Sequence, residues 1–243
     1  MRGKELENTV TFSELKWDTD FFGVTSARAT LHKSLTLNQW DELKIKFKDF
    51  QFITIVNQNS EPTNAWIIGK DTSSFLSDVN IQFVKKLLGP YEFPKSVTIH
   101  NSLKKNDQII KMANFQFSKF IEDPELAKRG GDQVYRQWVI NSFNRPDKFY
   151  VLSRNENDEI NGFLLYSYSD KTCVIELIAV SQDQKNTGIG TSLFKAVEYE
   201  AYKNDCRKIN VGTQVRNTRA INFYNKVGCK QVGCHQVYHL WNF

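Results

Sequence analysis

Hydrophobic and polar positions along this chain change period several times, and the changes mark its elements. Val174-Ile175-Glu176-Leu177-Ile178-Ala179-Val180 is apolar at every position but one, which suits a strand covered on both faces. A helical stripe of Ile189, Leu193, Ala196, Val197 and Ala201 follows, opened by Gly188-Ile189-Gly190. Residues 208–214 read as a second strand. Asn217 then caps a helix whose Ala220, Tyr224 and Val227 share a face that ends at Gly228. Upstream, strands are expected at 52–56, 65–68, 97–100 and 115–121, with helices over 37–47 and 104–112. Glu122-Asp123-Pro124 interrupts this alternation, and a long helix over 124–143 follows, with an exit at 141–146. Strands at 149–153, 160–168 and 172–180 form a meander joined by polar turns at 155–158 and 169–171. The fold class is α/β, with a smaller α/β domain over residues 1–117 and a second unit over 118–243.

The Gly-x-Gly turn between strand and helix is an anion site in outline. Glycine lets the backbone approach a ligand closely, and the first-turn N–H groups of a helix have no partners within it, so a phosphate is a natural occupant. A Walker loop needs Lys after the second glycine, where Thr191 stands. A dinucleotide fingerprint needs Gly or Ala at Leu193 and an acidic residue where Gln214 ends the next strand.

Lys185-Asn186-Thr187-Gly188-Ile189-Gly190 resembles the Gln/Arg-x-x-Gly-x-Gly/Ala motif of the GNAT superfamily of acyl-CoA N-acyltransferases, with Lys185 in place of the usual Gln or Arg. Asn217-Thr218-Arg219-Ala220-Ile221-Asn222-Phe223-Tyr224 has the family's Asn-x-x-Ala-x-x-Phe-Tyr spacing, after the expected strand. The resemblance implies a GNAT fold in residues 118–243, with the pyrophosphate of an acyl-CoA held from Lys185 to Thr191. It also implies that Asn217 touches the pantetheine arm and that Tyr224 faces the thioester sulfur. A narrower resemblance, running from Trp17 to Tyr238, is carried by Trp17-Asp18-Thr19-Asp20-Phe21-Phe22-Gly23-Val24, Ser118-Lys119-Phe120 with Asp123-Pro124, and Tyr135-Arg136-Gln137-Trp138. These segments are similar to the branch that acylates dTDP-linked amino sugars, whose type activity is dTDP-fucosamine acetyltransferase, a step toward surface polysaccharides. The same aromatics also suit a core corner between strand and turn. Other GNAT acceptors, namely a protein lysine, a peptide N-terminus or a polyamine, and a non-catalytic acyl-CoA sensor remain the alternatives.

Acyl transfer to an amine needs a neutral amine, a polarised carbonyl and stabilisation of the departing thiolate. Backbone N–H groups of the strand carrying Ile178 and Val180 are candidates for pairing with pantetheine and polarising the carbonyl. Tyr224 is the candidate for the thiolate; a phenol is a weaker acid than a thiol, so full proton transfer runs uphill by about 2 kcal/mol and hydrogen bonding is an equal option. Glu176, ionisable within an apolar strand, either takes the amine's proton or pairs with a Lys or Arg. His100 and His239 are further conceivable bases. For the acceptor, Lys119 and Arg136 are expected to meet a diphosphate and Trp17, Phe21 or Trp138 to stack on the base, with Asp20 in the same motif. The acyl group, acetyl or 3-hydroxybutyryl, stays open.

With 243 residues, 40% hydrophobic, the chain is long enough for a substantial core. The net charge of +5 is scattered over short pairs, which favours anionic small molecules over nucleic acid. Cys173, Cys206, Cys229 and Cys234 and the four histidines lack ligand spacing, so no metal is expected. The N-terminus has no apolar leader and no run is long enough to span a bilayer, so a cytoplasmic protein with no membrane partner is expected, as is a homodimer from the resemblance.

Overall fold

The computed structural model describes residues 9–181 and 187–243. Its strands are β1 (Val10–Glu14), β2 (Ser26–Leu31), β3 (Phe52–Asn57), β4 (Phe75–Lys86), β5 (Val97–Asn101), β6 (Phe149–Arg154), β7 (Ile160–Ser169), β8 (Thr172–Val180), β9 (Lys208–Gln214) and β10 (Lys230–Trp241). Its helices are α1 (Lys16–Phe22), α2 (Leu37–Phe47), α3 (Pro62–Asp71), α4 (Asp107–Met112), α5 (Lys119–Glu122), α6 (Pro124–Lys128), α7 (Val134–Ser142), α8 (Ile189–Lys203) and α9 (Thr218–Lys226). The strands form one ten-stranded sheet in the order β1-β2-β3-β10-β4-β9-β8-β7-β6-β5. Among the described residues only β2–β3 and β8–β9 are parallel. The sheet runs unbroken across the expected boundary at residue 117, because β10 lies between β3 and β4.

The apolar stripe of α8 seats Leu193, Phe194, Ala196, Val197 and Ala201 on Ile81, Phe83, Ile175, Ile209 and Val211, and Tyr224 of α9 joins them. Full burial of a side chain such as Leu193 contributes about 1.5–3 kcal/mol, so this packing holds the α8 N-terminus in place. On the other face, α4 and α7 bring Ile109 and Val139 against Tyr150, Phe163, Leu165 and Leu177. Around β2 and β3, Trp40 and Leu43 of α2 and Ile67 and Ile68 of α3 meet Leu31, Ile53 and Ile55.

Local chemistry explains where elements differ from expectation. Residues 65–68 are helix, not strand: Pro62 opens α3, and the Glu61 carboxylate caps it by accepting from the Asn64 N–H at 2.8 Å. Residues 115–121 are not a strand either, since the Ser118 hydroxyl accepts from the Phe120 N–H and starts α5. The expected helix over 124–143 is two helices, α6 and α7, separated at Gly130 and Gly131. Gly130 is left-handed (φ 90°), and a Cβ at Gly131 would stand 1.9 Å from the Phe120 carbonyl oxygen. The helix expected from 104 begins at Asp107, because Asn106 caps it. Trp17 to Phe22 form α1, which stops at left-handed Gly23, rather than a strand-to-turn corner.

Candidate active site

The two parallel strands β8 and β9 pair only through Thr172↔Lys208, Cys173↔Ile209 and Val174↔Asn210. Beyond Val174 their ladder stops, while β9 stays with β4 as far as Asn80↔Gln214, and the Val215 N–H donates to the Val79 carbonyl at 2.8 Å. The result is a wedge that opens toward the C-terminal ends of β8 and β9. A bulge in β8 lies beside it. Leu165 and Tyr166 of β7 oppose Leu177 and Ile175, so Glu176 is the extra residue. The bulge re-aims the strand, with Ile175 in the core under α8 and Leu177 in the core under α7. Ile178 and Val180 continue the strand along the wedge, their side chains packed on the α8 side.

At the wide end, α8 begins at Ile189 with Gly188 as its cap, left-handed at φ 90° and making no side-chain cap. A Cβ at Gly188 would meet open space, so the first turn is approachable from outside, and the N–H groups around Ile189, Gly190 and Thr191 have no acceptor within the helix. At Gly190 a Cβ would stand 3.3 Å from the Phe223 ring, so this glycine is where α8 and α9 touch and the two sequence motifs meet. Thr187 and Gly188 are exposed; Lys185 and Asn186 lie outside the described residues. Asn217 caps α9, its side-chain oxygen accepting from the Ala220 N–H at 3.1 Å. These residues fit a coenzyme A pyrophosphate: an open glycine turn and a helix N-terminus follow a strand edge that has lost its ladder.

Tyr224 is buried, its ring 5.5 Å from Phe83 and 5.4 Å from Phe223. Burial, with a smaller contribution from Cys229, pushes its hydroxyl well above the usual phenol range. It can donate a hydrogen bond to a thiolate, whereas giving up its proton is costlier than for a phenol in water.

Glu176 is held on the opposite face by three donors. Its Oε1 accepts from Lys148 Nζ at 2.5 Å and from the Ser167 hydroxyl at 2.6 Å, and its Oε2 accepts from the Trp138 indole N–H at 3.1 Å. Trp138 and Lys148 also line a cleft of about 310 Å³ with Trp17, Asp18, Arg28, Phe120, Asn141 and Arg145. Arg28 places a buried Nε there that has no hydrogen-bond partner among the described residues. Of the residues expected to bind the acceptor, Trp17 and Trp138 line the cleft, and Phe21 stacks on Trp17 at 4.7 Å. Lys119 lies between charged neighbours, Arg28 and Asp18 on the cleft side and Asp78 beyond; burial and then Arg28 lower its ammonium to about 8. Asp20 is exposed, and Arg136 lies near Gln133, its Nη1 3.4 Å from Oε1; neither lines the cleft.

A second cavity, of about 230 Å³, is lined by Leu76, Ser77, Asp78, Val79, Glu122, Gln214, Val215 and Arg216 at the open end of β9. The two histidines sit elsewhere. His100 is on the edge strand β5, its ring 2.9 Å from the Thr98 hydroxyl oxygen. His239 is fully buried on β10 and donates from Nδ1 to Asp123 at 2.7 Å, an acceptor shared with the Trp241 indole at 3.1 Å. Burial lowers His239 to about 4, which leaves it neutral.

Arg28, Lys148 and Asp78 are not among the residues expected from the sequence. Arg28 and Lys148 carry no local signal, since each gains meaning only from strands distant in the chain. Asp78 has one: Asp78, Asn80 and Gln82 alternate with Val79, Ile81 and Phe83, the period of a strand with one polar face.

Residues 107–229 match the model of the Acetyltransferase (GNAT) family. The chain belongs to that family of acyl-CoA-dependent N-acyltransferases. It is similar to the spore coat polysaccharide biosynthesis protein SpsD of Bacillus subtilis (strain 168), 25% identical over 128 residues, which are 53% of this chain and 44% of SpsD. The uncharacterized protein YdhI of the same organism is 33% identical over 124 residues, 51% of this chain and 70% of YdhI. The chain thus matches less than half the length of SpsD. A GCN5-related N-acetyltransferase from Sphaerobacter thermophilus superposes with a TM-score of 0.63 at 12% identity, over 96% of this chain and 76% of that one, a likeness of fold.

Proposed function

We propose that this chain moves an acyl group, acetyl or 3-hydroxybutyryl, from acyl-CoA to the amine of a dTDP-linked 3- or 4-amino-dideoxyhexose destined for a surface polysaccharide. The observation that carries the reading is the cleft beside Glu176, which is lined by Trp17 and Trp138 together with the cations Arg28, Arg145 and Lys148. Aromatic faces suit a nucleobase, and guanidinium groups suit a diphosphate. The polysaccharide role in the name of SpsD adds support. At about 310 Å³ the cleft is at the lower end for small-molecule sites, so base and diphosphate fill it and the sugar amine reaches toward the wedge.

In this reading the α8 N-terminus from Thr187 to Thr191 holds the coenzyme phosphates, and Asn217 with the Ile178 to Val180 backbone holds the pantetheine arm. The thioester supplies the activated acyl group. Glu176 orients Trp138 and Lys148 at the cleft, and Tyr224 stabilises the departing thiolate from the other face of the sheet. A thiol-release assay crossing dTDP-amino sugars with acyl-CoAs tests the proposal. Free dTDP should compete with the sugar nucleotide and not with acyl-CoA, and Arg28→Ala should raise KM for the sugar nucleotide about tenfold or more, with the acyl-CoA KM unchanged. No inhibition at millimolar dTDP, together with good turnover of a lysine peptide or a polyamine, would replace this acceptor with another.

A further inference from the structure

Two carboxylates flank the wedge on the sheet face away from α8 and α9. Glu176 stands on β8. Asp78 stands on β4, on the face it shares with Asn80 and Gln82, and these are the register partners of Gln214 and Gly212 on β9. We infer that Asp78, delivered by a strand of the chain's first half, takes the proton from the attacking amine, an inference that rests on the acyltransfer reading above.

The hydrogen bonds separate the two candidates. Each oxygen of Glu176 already accepts from a fixed donor, and Lys148 neutralises it, so accepting a proton there would disrupt the contacts that place Trp138 and Lys148 at the cleft. Asp78 forms no ion pair among the described residues and lines the cavity at the open end of β9, beside the mouth of the wedge. Its surroundings tune it as a base. Burial raises its carboxyl to about 6, opposed by Lys119 and by hydrogen bonds from Asn80 and Val79 and assisted by Glu122. Glu122 is itself paired with Arg216 at 3.0 Å, and Tyr135 of α7 also feels the Asp78 charge. A carboxylate that titrates near 6 is ionised at neutral pH and still basic enough to share a proton in a transition state.

The step balances with groups already named. The amine lone pair forms the N–C bond, the C–S bond breaks with its electron pair going to sulfur, and the proton displaced from nitrogen passes to an Asp78 oxygen. The thiolate is held by the Tyr224 hydroxyl and regains a proton from water.

The test is the pH dependence of kcat for the wild type, Asp78→Asn and Asp78→Glu. The amine used is the one the wild type turns over fastest in a panel of dTDP-amino sugars, lysine peptides and polyamines. The wild type should lose activity below about pH 6. Asp78→Asn should lower kcat about 100-fold or more and abolish that acid limb, while Asp78→Glu keeps the limb and part of the rate. Acyl-CoA affinity, read by calorimetry, should be unchanged in both variants. An Asp78→Asn enzyme within about threefold of the wild type, or one that keeps the acid limb, overturns the assignment. If a lysine peptide or polyamine is the best acceptor, the sugar-nucleotide reading fails while the Asp78 test stands. A wild type inactive toward every amine overturns both.

Discussion

Tyr224 shows how one side chain's surroundings decide its chemistry. In water a phenol is already a weaker acid than a thiol, and burial against Phe83 and Phe223 widens that gap. In the proposed role toward a thiolate, hydrogen-bond donation therefore outweighs outright proton transfer. Tyr224→Phe keeps the ring packing and removes only the hydroxyl, so kcat should fall about tenfold or more while the Kd for acyl-CoA, measured by calorimetry, stays nearly constant. An unchanged kcat would reduce Tyr224 to a packing residue. The helix that carries Tyr224 was legible in the sequence because its cap, Asn217, and the apolar spacing of Ala220 and Tyr224 are local. Glu176 was half legible: a lone carboxylate in an apolar run signals a pairing, but Lys148, Ser167 and Trp138 come from three other parts of the chain and no local pattern names them. The buried pair of Asp123 and His239 joins a helix cap to the last strand in the same non-local way.

At the scale of elements, the strand-turn-helix unit that ends in α8 was legible because two different periods meet at a glycine pair, each set by local geometry. The polar-faced strand β4 and the break at Gly130 were not. Search by apolar runs passes over an alternating strand, and the break falls where left-handed Gly130 precedes Gly131, whose missing Cβ admits the Phe120 carbonyl, a contact that no apolar period announces. The glycine turn offers a clean test. Gly188 faces open space, so Gly188→Asp introduces little steric conflict within the protein. A left-handed φ disfavours the new residue by about 1–2 kcal/mol, and a negative charge at a helix N-terminus returns part of that through the helix dipole. Thermal stability should hence change by only a few degrees. The added negative charge stands where a pyrophosphate is expected, so the Kd for acyl-CoA should rise about tenfold or more, as read by calorimetry. An unaltered Kd would place the coenzyme phosphates elsewhere.

The whole molecule is organised by strand exchange between its two halves. Residues 118–243 contain β8, β9, α8 and α9, but both sheet neighbours of β10, β3 and β4, come from residues 1–117, as does β4 on the open flank of β9 and β5 on the outer edge of β6. Phe83 of β4 also supplies part of the wall around Tyr224. Composition and periodicity could place the elements in order along the chain. They could not place β10 between two strands of the first half, because that order is set by long-range burial of Ile81, Phe83, Tyr238 and Leu240 rather than by any local pattern. A fragment of residues 118–243 would leave the twelve residues of β10 without a ladder and expose the flank of β9, so its core could not close. The expected outcome is a fragment with poor amide dispersion by NMR and no measurable acyl-CoA binding. Co-expression with residues 1–117 should restore both, because the missing strands return to the same edges. A fragment that bound acyl-CoA with the affinity of the whole chain would show that the wedge and the α8 N-terminus hold their geometry without β4, and the contribution of the first half would then be confined to the acceptor cleft and Asp78.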